Sequence, residues 1–145
     1  EVGQYGARMI AERIQPDVAL VTDVCHDVQT PRMETITEGD VRGGYGPALT
    51  YGPAVQYNLL NLMIQTAKEQ DIPFQRRTTG RTTGTDTDAI AYSHKGVPSA
   101  LASLPIRYMH TSVEMAQKAD VEHVVDLLYH TLLGIKANQD FRYLS

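Results

Sequence analysis

Apolar residues recur along the chain at two different spacings, and these predict alternating helices and buried strands. Residues 6–14 and 54–70 place their apolar positions at helical spacing; Pro16 stops the first helix, and Pro53 suits the first turn of the second. Residues 17–25 are almost continuously apolar and β-branched, which is typical of a strand buried on both faces. The first half of the chain therefore predicts a helix, a strand and a longer helix.

The second half repeats this alternation. Residues 72–78 predict a strand, residues 85–96 a short helix ending at Gly96, and residues 97–108 a strand with a proline near each end. Residues 26–46 are polar and rich in glycine, and they predict a loop or an irregular strand pair.

A last helix is predicted before Gly134. Asp120 is placed to cap its first turn. The predicted buried face consists of the apolar positions Val121, Val124, Val125, Leu128 and Leu132. The alternation as a whole predicts an α/β fold with a mostly parallel sheet sandwiched between helices. A chain of 145 residues with 42% hydrophobic content is large enough to bury the core of one such domain.

Charge and cysteine content narrow the range of partners. The formal net charge is −4 and there is no basic run, so nucleic acid is not expected as a partner. No apolar stretch approaches the roughly 20 residues that cross a bilayer, and no membrane partner is expected. The single cysteine excludes an internal disulfide. These features predict a soluble, cytoplasmic protein.

Polar side chains that can bind metal follow three of the predicted strands. Asp23 ends the first, the loop containing Thr85 and Asp86 follows the strand near residue 74, and His110 follows the last. Reactive residues of α/β folds collect at the carboxyl ends of strands, and carboxylate with imidazole suits zinc, cobalt or manganese. Simpler explanations stay open: Asp23 can cap a turn, His110 can be a hydrogen-bonded loop residue, and Cys25 can be a small buried hydrophobe.

Five segments, taken together, resemble a known family in their order and approximate spacing. They are "EVGQYGA", "VTDVCHD", "GTDTDAI", "GVPSALASLPIRYMHTSVEM" and "KADVEHVVDLL". The family is that of the M42 metallopeptidases, the glutamyl-aminopeptidase-like or tetrahedral aminopeptidases, some of which carry an endoglucanase label. The resemblance runs from residue 1 to about residue 135 and implies the C-terminal part of a zinc-peptidase catalytic domain.

The resemblance implies a metal site. Glu1, Asp23 and His110 match three of five protein ligands that hold two divalent ions, zinc or cobalt, in the complete family. The other two ligands and the general-base glutamate would precede Glu1, so no catalytic base is assigned within the chain. Thr85, Asp86, Arg107 and Thr111 lie on segments that the family uses to line its substrate cleft. His26 and Asp27 are expected to support Asp23 and orient its carboxylate.

The implied activity is metal-dependent release of N-terminal residues from peptides by a homo-oligomeric enzyme. Residues 1–145 would form the C-terminal portion of the catalytic domain, without its N-terminal portion and the inserted dimerisation domain, and would be inactive alone. Two alternatives remain: a non-catalytic binding or regulatory module of the same fold, and a glycoside hydrolase, which needs two carboxylates facing a sugar cleft.

Overall fold

The computed structural model describes residues 2–141, in which helices and short strands alternate. A 3₁₀ turn at Val2–Gln4 comes first. The helices are α1 (Tyr5–Ile14), α2 (Thr35–Glu38), α3 (Tyr57–Glu69), α4 (Asp86–Ala91) and α5 (Lys118–Gly134). The strands are β1 (Ala19–His26), β2 (Ala48–Tyr51), β3 (Gln75–Thr78), β4 (Ser99–Arg107) and β5 (Met115–Ala116). The structure confirms the predicted helices at residues 6–14 and 54–70. The strand β2, which no sequence pattern indicated, is an addition.

The strands form one sheet with the order β1-β4-β2-β3, and β5 pairs with β4 outside this path. The α/β class with helices around a central sheet is confirmed, and most paired residues lie in parallel ladders, as predicted. The antiparallel contact that joins the two parallel pairs was not predicted. β1 is parallel to β4 and β2 to β3, whereas β4 is antiparallel to both β2 and β5. A parallel neighbour needs a crossover connection, usually a full helix. Between β1 and β2 the chain forms only the four-residue α2, and β2 enters the sheet in the opposite direction.

The main core lies on one face of the sheet. Leu49, Ala100 and Ala102 point to this face, where α3 and α5 cover them. The most deeply buried helix residues in this core are Leu59, Leu60, Met63, Ala67 and Leu127. The opposite face carries a small cluster of Cys25, Val41 and Ala48.

The helix α4 is shorter than predicted. It ends at Ala91 instead of continuing to Gly96. Both the backbone N–H and the hydroxyl of Ser93 donate to the Ile90 carbonyl, at 3.1 and 2.8 Å, and His94 adopts a left-handed φ of 52°. The serine hydroxyl takes up a carbonyl that a longer helix would pair with a backbone N–H, so the helix stops.

The helix α5 departs from its predicted cap and from its predicted buried face. The residue before the helix is Gln117, and Asp120 is its fully buried third residue, so the assignment of Asp120 as the cap was wrong. Val124 is buried as predicted, whereas Val121, Val125 and Leu132 are exposed.

Two sheet edges differ in their charge. Among residues 2–141, β1 pairs only with β4, so its other edge is free. The opposite edge, β3, carries Arg76 and Arg77, the kind of charge that blocks pairing at an edge strand.

Within the same described part of the chain, no helix is long and apolar enough to cross a membrane.

Candidate functional site

Four separate parts of the chain meet in one open cleft of about 480 Å³. The lining residues are Val2, Gln4, Thr22, Asp23, Gly84, Thr85, Asp86 and His110. Four of the residues singled out in the sequence, Asp23, Thr85, Asp86 and His110, therefore share a cleft. Two carboxylates and an imidazole in this cleft are hard or borderline ligands suited to a divalent metal ion.

Asp23 reaches the cleft from the middle of β1. The prediction that it ends the strand is wrong, because pairing with β4 continues to His26. Since β1 is an edge strand, its central residues are still accessible, and Asp23 is only partly buried. Its Oδ1 atom accepts the backbone N–H of Val24 at 2.7 Å, which fixes the orientation of the carboxylate. No described residue forms a hydrogen bond with Oδ2, which leaves this oxygen for a ligand.

The segment with Thr85 and Asp86 reaches the cleft by a route different from the expected one. Since β3 is antiparallel to β1 and β4, its carboxyl end lies at the side of the sheet opposite to their carboxyl ends. The residues that follow β3 then bring Thr85 and Asp86 to the cleft. The carboxylate of Asp88 accepts the N–H groups of Thr83 and Gly84, at 3.1 and 2.9 Å. This carboxylate holds the segment in place without itself lining the cleft.

A chain of buried threonine hydroxyls fixes the same segment from within. The hydroxyls of Thr83 and Thr85 lie 2.8 Å apart, and that of Thr85 donates to Thr87 at 2.9 Å. The Thr85 hydroxyl also accepts the N–H of Thr87 and so caps α4. These contacts define where Asp86 stands at the cleft.

His110 lies in the turn that follows β4. Its side chain is exposed at the cleft, and its backbone adopts a left-handed φ of 64°. Its backbone N–H donates to the Glu114 carboxylate at 2.6 Å. The imidazole is therefore accessible while its backbone is held.

Arg107 and Thr111 make contacts within this turn instead of lining the cleft. Arg107 Nη2 donates to the Tyr108 hydroxyl at 2.9 Å, and its guanidinium lies over the Tyr108 ring at 5.0 Å. The Thr111 hydroxyl donates to the Tyr108 carbonyl at 2.6 Å. Both residues shape the turn that carries His110.

His26 and Asp27 also lie outside the lining of the cleft. Asp27 is buried, and its Oδ1 atom accepts the N–H of Gln29 at 2.8 Å. Its Oδ2 atom packs against Gly43, where a Cβ would meet it at 2.8 Å. The Nδ1 atom of His26 is buried and has no hydrogen-bond partner among the described residues. Among described residues, it is the bond to Val24, not one to these two side chains, that orients Asp23.

Cys25 has the properties of a buried hydrophobe. Burial raises the pKa of its thiol to about 12, and Arg77 acts in the opposite direction. Such a thiol stays protonated at neutral pH and is a poor nucleophile.

Glu114 and Asp88 support the cleft without lining it, and the sequence analysis did not identify them. The sequence does indicate a local role for Asp88, because the pattern "TDTD" predicts an acidic first turn of a helix and Asp88 lies in that turn. No sequence pattern indicates the role of Glu114. It lies four residues after His110, and in a turn this spacing does not predict a contact with a backbone N–H.

The residues present agree in part with a metal centre. Glu1, the third matched ligand, lies outside the described residues. Within residues 2–141 there is no group of three His, Cys, Asp or Glu side chains close enough to hold a metal ion. Asp23 and His110 share one cleft, so an ion held there would need further ligands from elsewhere.

Several known proteins similar to this chain are named aminopeptidases. A lysyl aminopeptidase of Pyrococcus furiosus is 35% identical over 136 residues, which are 94% of this chain and 38% of that protein. The structure of a TET aminopeptidase from a marine sediment archaeon of the Thaumarchaeota has a TM-score of 0.80 at 29% identity, with 92% of this chain and 40% of that chain covered. The TET1 peptidase of Pyrococcus horikoshii, which assembles into a tetrahedron or a large octahedral shell, has a TM-score of 0.64 at 25% identity and covers 90% and 37%.

The chain spans about two fifths of the length of these proteins. The family model described as M42 glutamyl aminopeptidase matches residues 1–127. This match covers most of the chain and includes every residue that lines the cleft. The chain belongs to the M42 glutamyl aminopeptidase family.

Proposed function

We propose that this chain supplies the C-terminal part of the catalytic domain of a metal-dependent aminopeptidase. The observation that carries the proposal is the convergence of Asp23 and His110, on separate parts of the chain, in one cleft with Thr85 and Asp86. In this assignment His110 and Glu1 bind one divalent ion and Asp23 binds the other. Zinc and cobalt both suit this mixture of carboxylate and imidazole ligands.

The residues of the chain would hold and orient the reactants. Asp23 offers Oδ2 to an ion because its Oδ1 is engaged by Val24. His110 offers its imidazole from a fixed turn, and Thr85 and Asp86 form the wall along which a peptide would lie. When bound, the ions would polarise the scissile carbonyl and activate a water for attack.

The proposed substrate is a peptide with a free amino terminus. Asp86 is exposed in the cleft, and its carboxylate adds negative charge to that of Asp23. This charge favours a cationic group, such as a substrate ammonium, over an anionic one. A buried, unpaired cysteine agrees with a cytoplasmic location, where thiols stay reduced.

A hybrid enzyme tests the proposal. The matching 136 residues of the Pyrococcus furiosus lysyl aminopeptidase would be replaced with those of this chain. We expect the hybrid to release lysine from lysyl-p-nitroanilide only when cobalt or zinc is added. Asp23→Ala and His110→Ala should each abolish this release. Asp17→Ala and His94→Ala, at exposed positions outside the cleft, serve as matched controls and should not.

The hybrid also separates the proposal from its alternatives. A folded, metal-loaded hybrid that retains activity with Asp23→Ala and His110→Ala would contradict the assignment. Release of sugar from carboxymethylcellulose, without release of lysine, would favour the glycoside hydrolase.

We also propose that the 145-residue chain alone has little or no peptidase activity and retains metal poorly. It holds three of the five ligands implied by the resemblance, and two protein ligands for one ion give weak, labile binding. Metal-dependent release of amino acids by the purified chain would contradict this proposal.

The parent assembly is proposed to be a homo-oligomer. The relative from Pyrococcus horikoshii forms closed shells, and this chain has a free β1 edge and exposed apolar helix residues. Free edges and large apolar patches are normally covered in a stable protein.

A further inference from the structure

The turn that carries His110 contains two left-handed residues that are not glycine. Tyr108 has a φ of 57° and His110 a φ of 64°. Residues with side chains rarely adopt this conformation, and it persists only where surrounding contacts enforce it. Something in the turn must therefore compensate for the strain at His110.

Hydrogen bonds within the turn provide this compensation. The hydroxyl and the backbone N–H of Thr111 both donate to the Tyr108 carbonyl, at 2.6 and 3.1 Å. The Glu114 carboxylate accepts the backbone N–H of His110 at 2.6 Å. Of these contacts, only the one from Glu114 acts directly on His110, and a short bond to a charged acceptor is among the stronger hydrogen bonds.

We propose that Glu114 is a positioning residue for His110. Its carboxylate holds the His110 backbone in the left-handed conformation and so presents the imidazole to the cleft. Glu114 does not itself line the cleft, and one of its oxygens is occupied by the His110 N–H. Because it lies outside the lining of the cleft, it acts through His110 and not as an additional metal ligand. The role of His110 as a ligand rests on the proposed function; the hold on its backbone does not.

The experiment compares three variants of the 145-residue chain labelled with ¹⁵N. Glu114→Ala removes the acceptor, and Glu114→Gln keeps a neutral oxygen in a side chain of the same length. Glu122→Ala is the matched control, because Glu122 is an exposed glutamate that pairs with Lys118 on α5. The first measurement is the chemical shift of the His110 amide and its rate of hydrogen exchange.

In Glu114→Ala we expect the His110 amide to exchange about 10- to 100-fold faster, since a hydrogen bond to a charged group contributes that much. Glu114→Gln should restore part of the protection, with an upfield shift of the amide proton as the bond becomes neutral. Glu122→Ala should leave both observables unchanged. If Glu114→Ala fails to fold, the shift in Glu114→Gln decides the question. An unchanged His110 amide in the folded variants would overturn the proposal.

A cobalt titration provides a second readout, with the same substitutions made in the hybrid enzyme, because the chain alone is expected to retain metal poorly. Loss of a residue that supports a metal ligand typically weakens metal affinity about 10- to 100-fold, and we expect Glu114→Ala to do so and Glu114→Gln to recover part of it. Absence of cobalt binding by the unsubstituted hybrid would count against the proposed metal site. The amide measurement would still decide the role of Glu114.

Discussion

The carboxylate of Asp120 accepts the backbone N–H of Gly46 at 2.8 Å, although 74 residues separate them in the chain. The other carboxylate oxygen accepts the N–H of Gly44 at 2.6 Å. Asp120 is fully buried, so its charge depends on these two donors in place of water. This contact ties the glycine-rich segment before β2 to the first turn of α5.

Asp120→Ala should destabilise the chain by about 2–4 kcal/mol. It removes two hydrogen bonds to a charged acceptor and leaves two backbone N–H groups without a partner. The stability of Asp120→Asn should lie between those of Asp120→Ala and the wild type. Its amide oxygen can accept one of the two backbone N–H groups, but its NH₂ group would face the other N–H, which is also a donor. Urea unfolding measures the difference. Asp126→Ala, at an exposed position on the same helix, is the control. Equal stability of Asp120→Ala and the control would show that the two bonds contribute nothing.

Gly46→Ala should destabilise the chain more than Gly39→Ala. Both glycines have positive φ values, 83° and 82°, so an alanine meets backbone strain at either position, and Gly39 with its ψ of 168° lies in a region that is nearly restricted to glycine. A Cβ at Gly46 would clash with the Pro73 carbonyl oxygen, whereas nothing lies within 4 Å of a Cβ at Gly39. At Gly39 we expect a loss of stability of about 1–3 kcal/mol from the backbone strain alone. The Pro73 carbonyl belongs to the backbone and cannot rotate away, so the loss of stability in Gly46→Ala should be clearly larger than that in Gly39→Ala. Thermal unfolding of both variants measures the two losses of stability. Equal losses would contradict the prediction.

The sequence predicted those parts of the fold that rest on local periodicity. The helices α1 and α3 follow from apolar spacing, and β1 and β4 from continuous apolar runs. The direction of β2 and β3 could not be predicted, because it depends on the irregular segment that connects β1 to β2. Asp120 shows the same limit: an acid in a first helical turn indicates a cap, and only the tertiary structure shows that it binds a different segment.

The site was predictable in its residue types more than in its geometry. Asp23 and His110 were identified from chemistry and motif register, and both line the cleft. The supporting role of Glu114 depends on a strained turn that no local pattern encodes.

Stability should fall more steeply at alkaline pH in the wild type than in Cys25→Ala. Burial raises the thiol pKa from 9.0 to about 12, so between these values the unfolded chain loses a proton that the folded chain keeps. Stability from this group is complete below pH 9 and declines as the pH rises towards 12. Between about pH 8 and about pH 10.5, the wild type should lose about 2 kcal/mol more than Cys25→Ala. Urea unfolding under reducing conditions measures both. Parallel pH profiles would contradict the assigned cause.

The exposed apolar stripe of α5 should cause the chain to self-associate. Val121, Val125, Tyr129 and Leu132 recur at helical spacing on this helix and are all exposed, Val125 by 59%. Lysine at both Val125 and Leu132 should shift the chain towards monomer, because it places charge within the apolar contact. Glu122→Gln with Asp126→Asn is the matched control: it also adds two units of positive charge, but at positions that are already polar. Light scattering over a range of protein concentrations measures the average mass. We expect the average mass of the wild type and the control to rise with concentration while that of the lysine variant stays near the monomer value of 16.1 kDa. A wild-type chain that remains monomeric at high concentration would show that this stripe does not drive association.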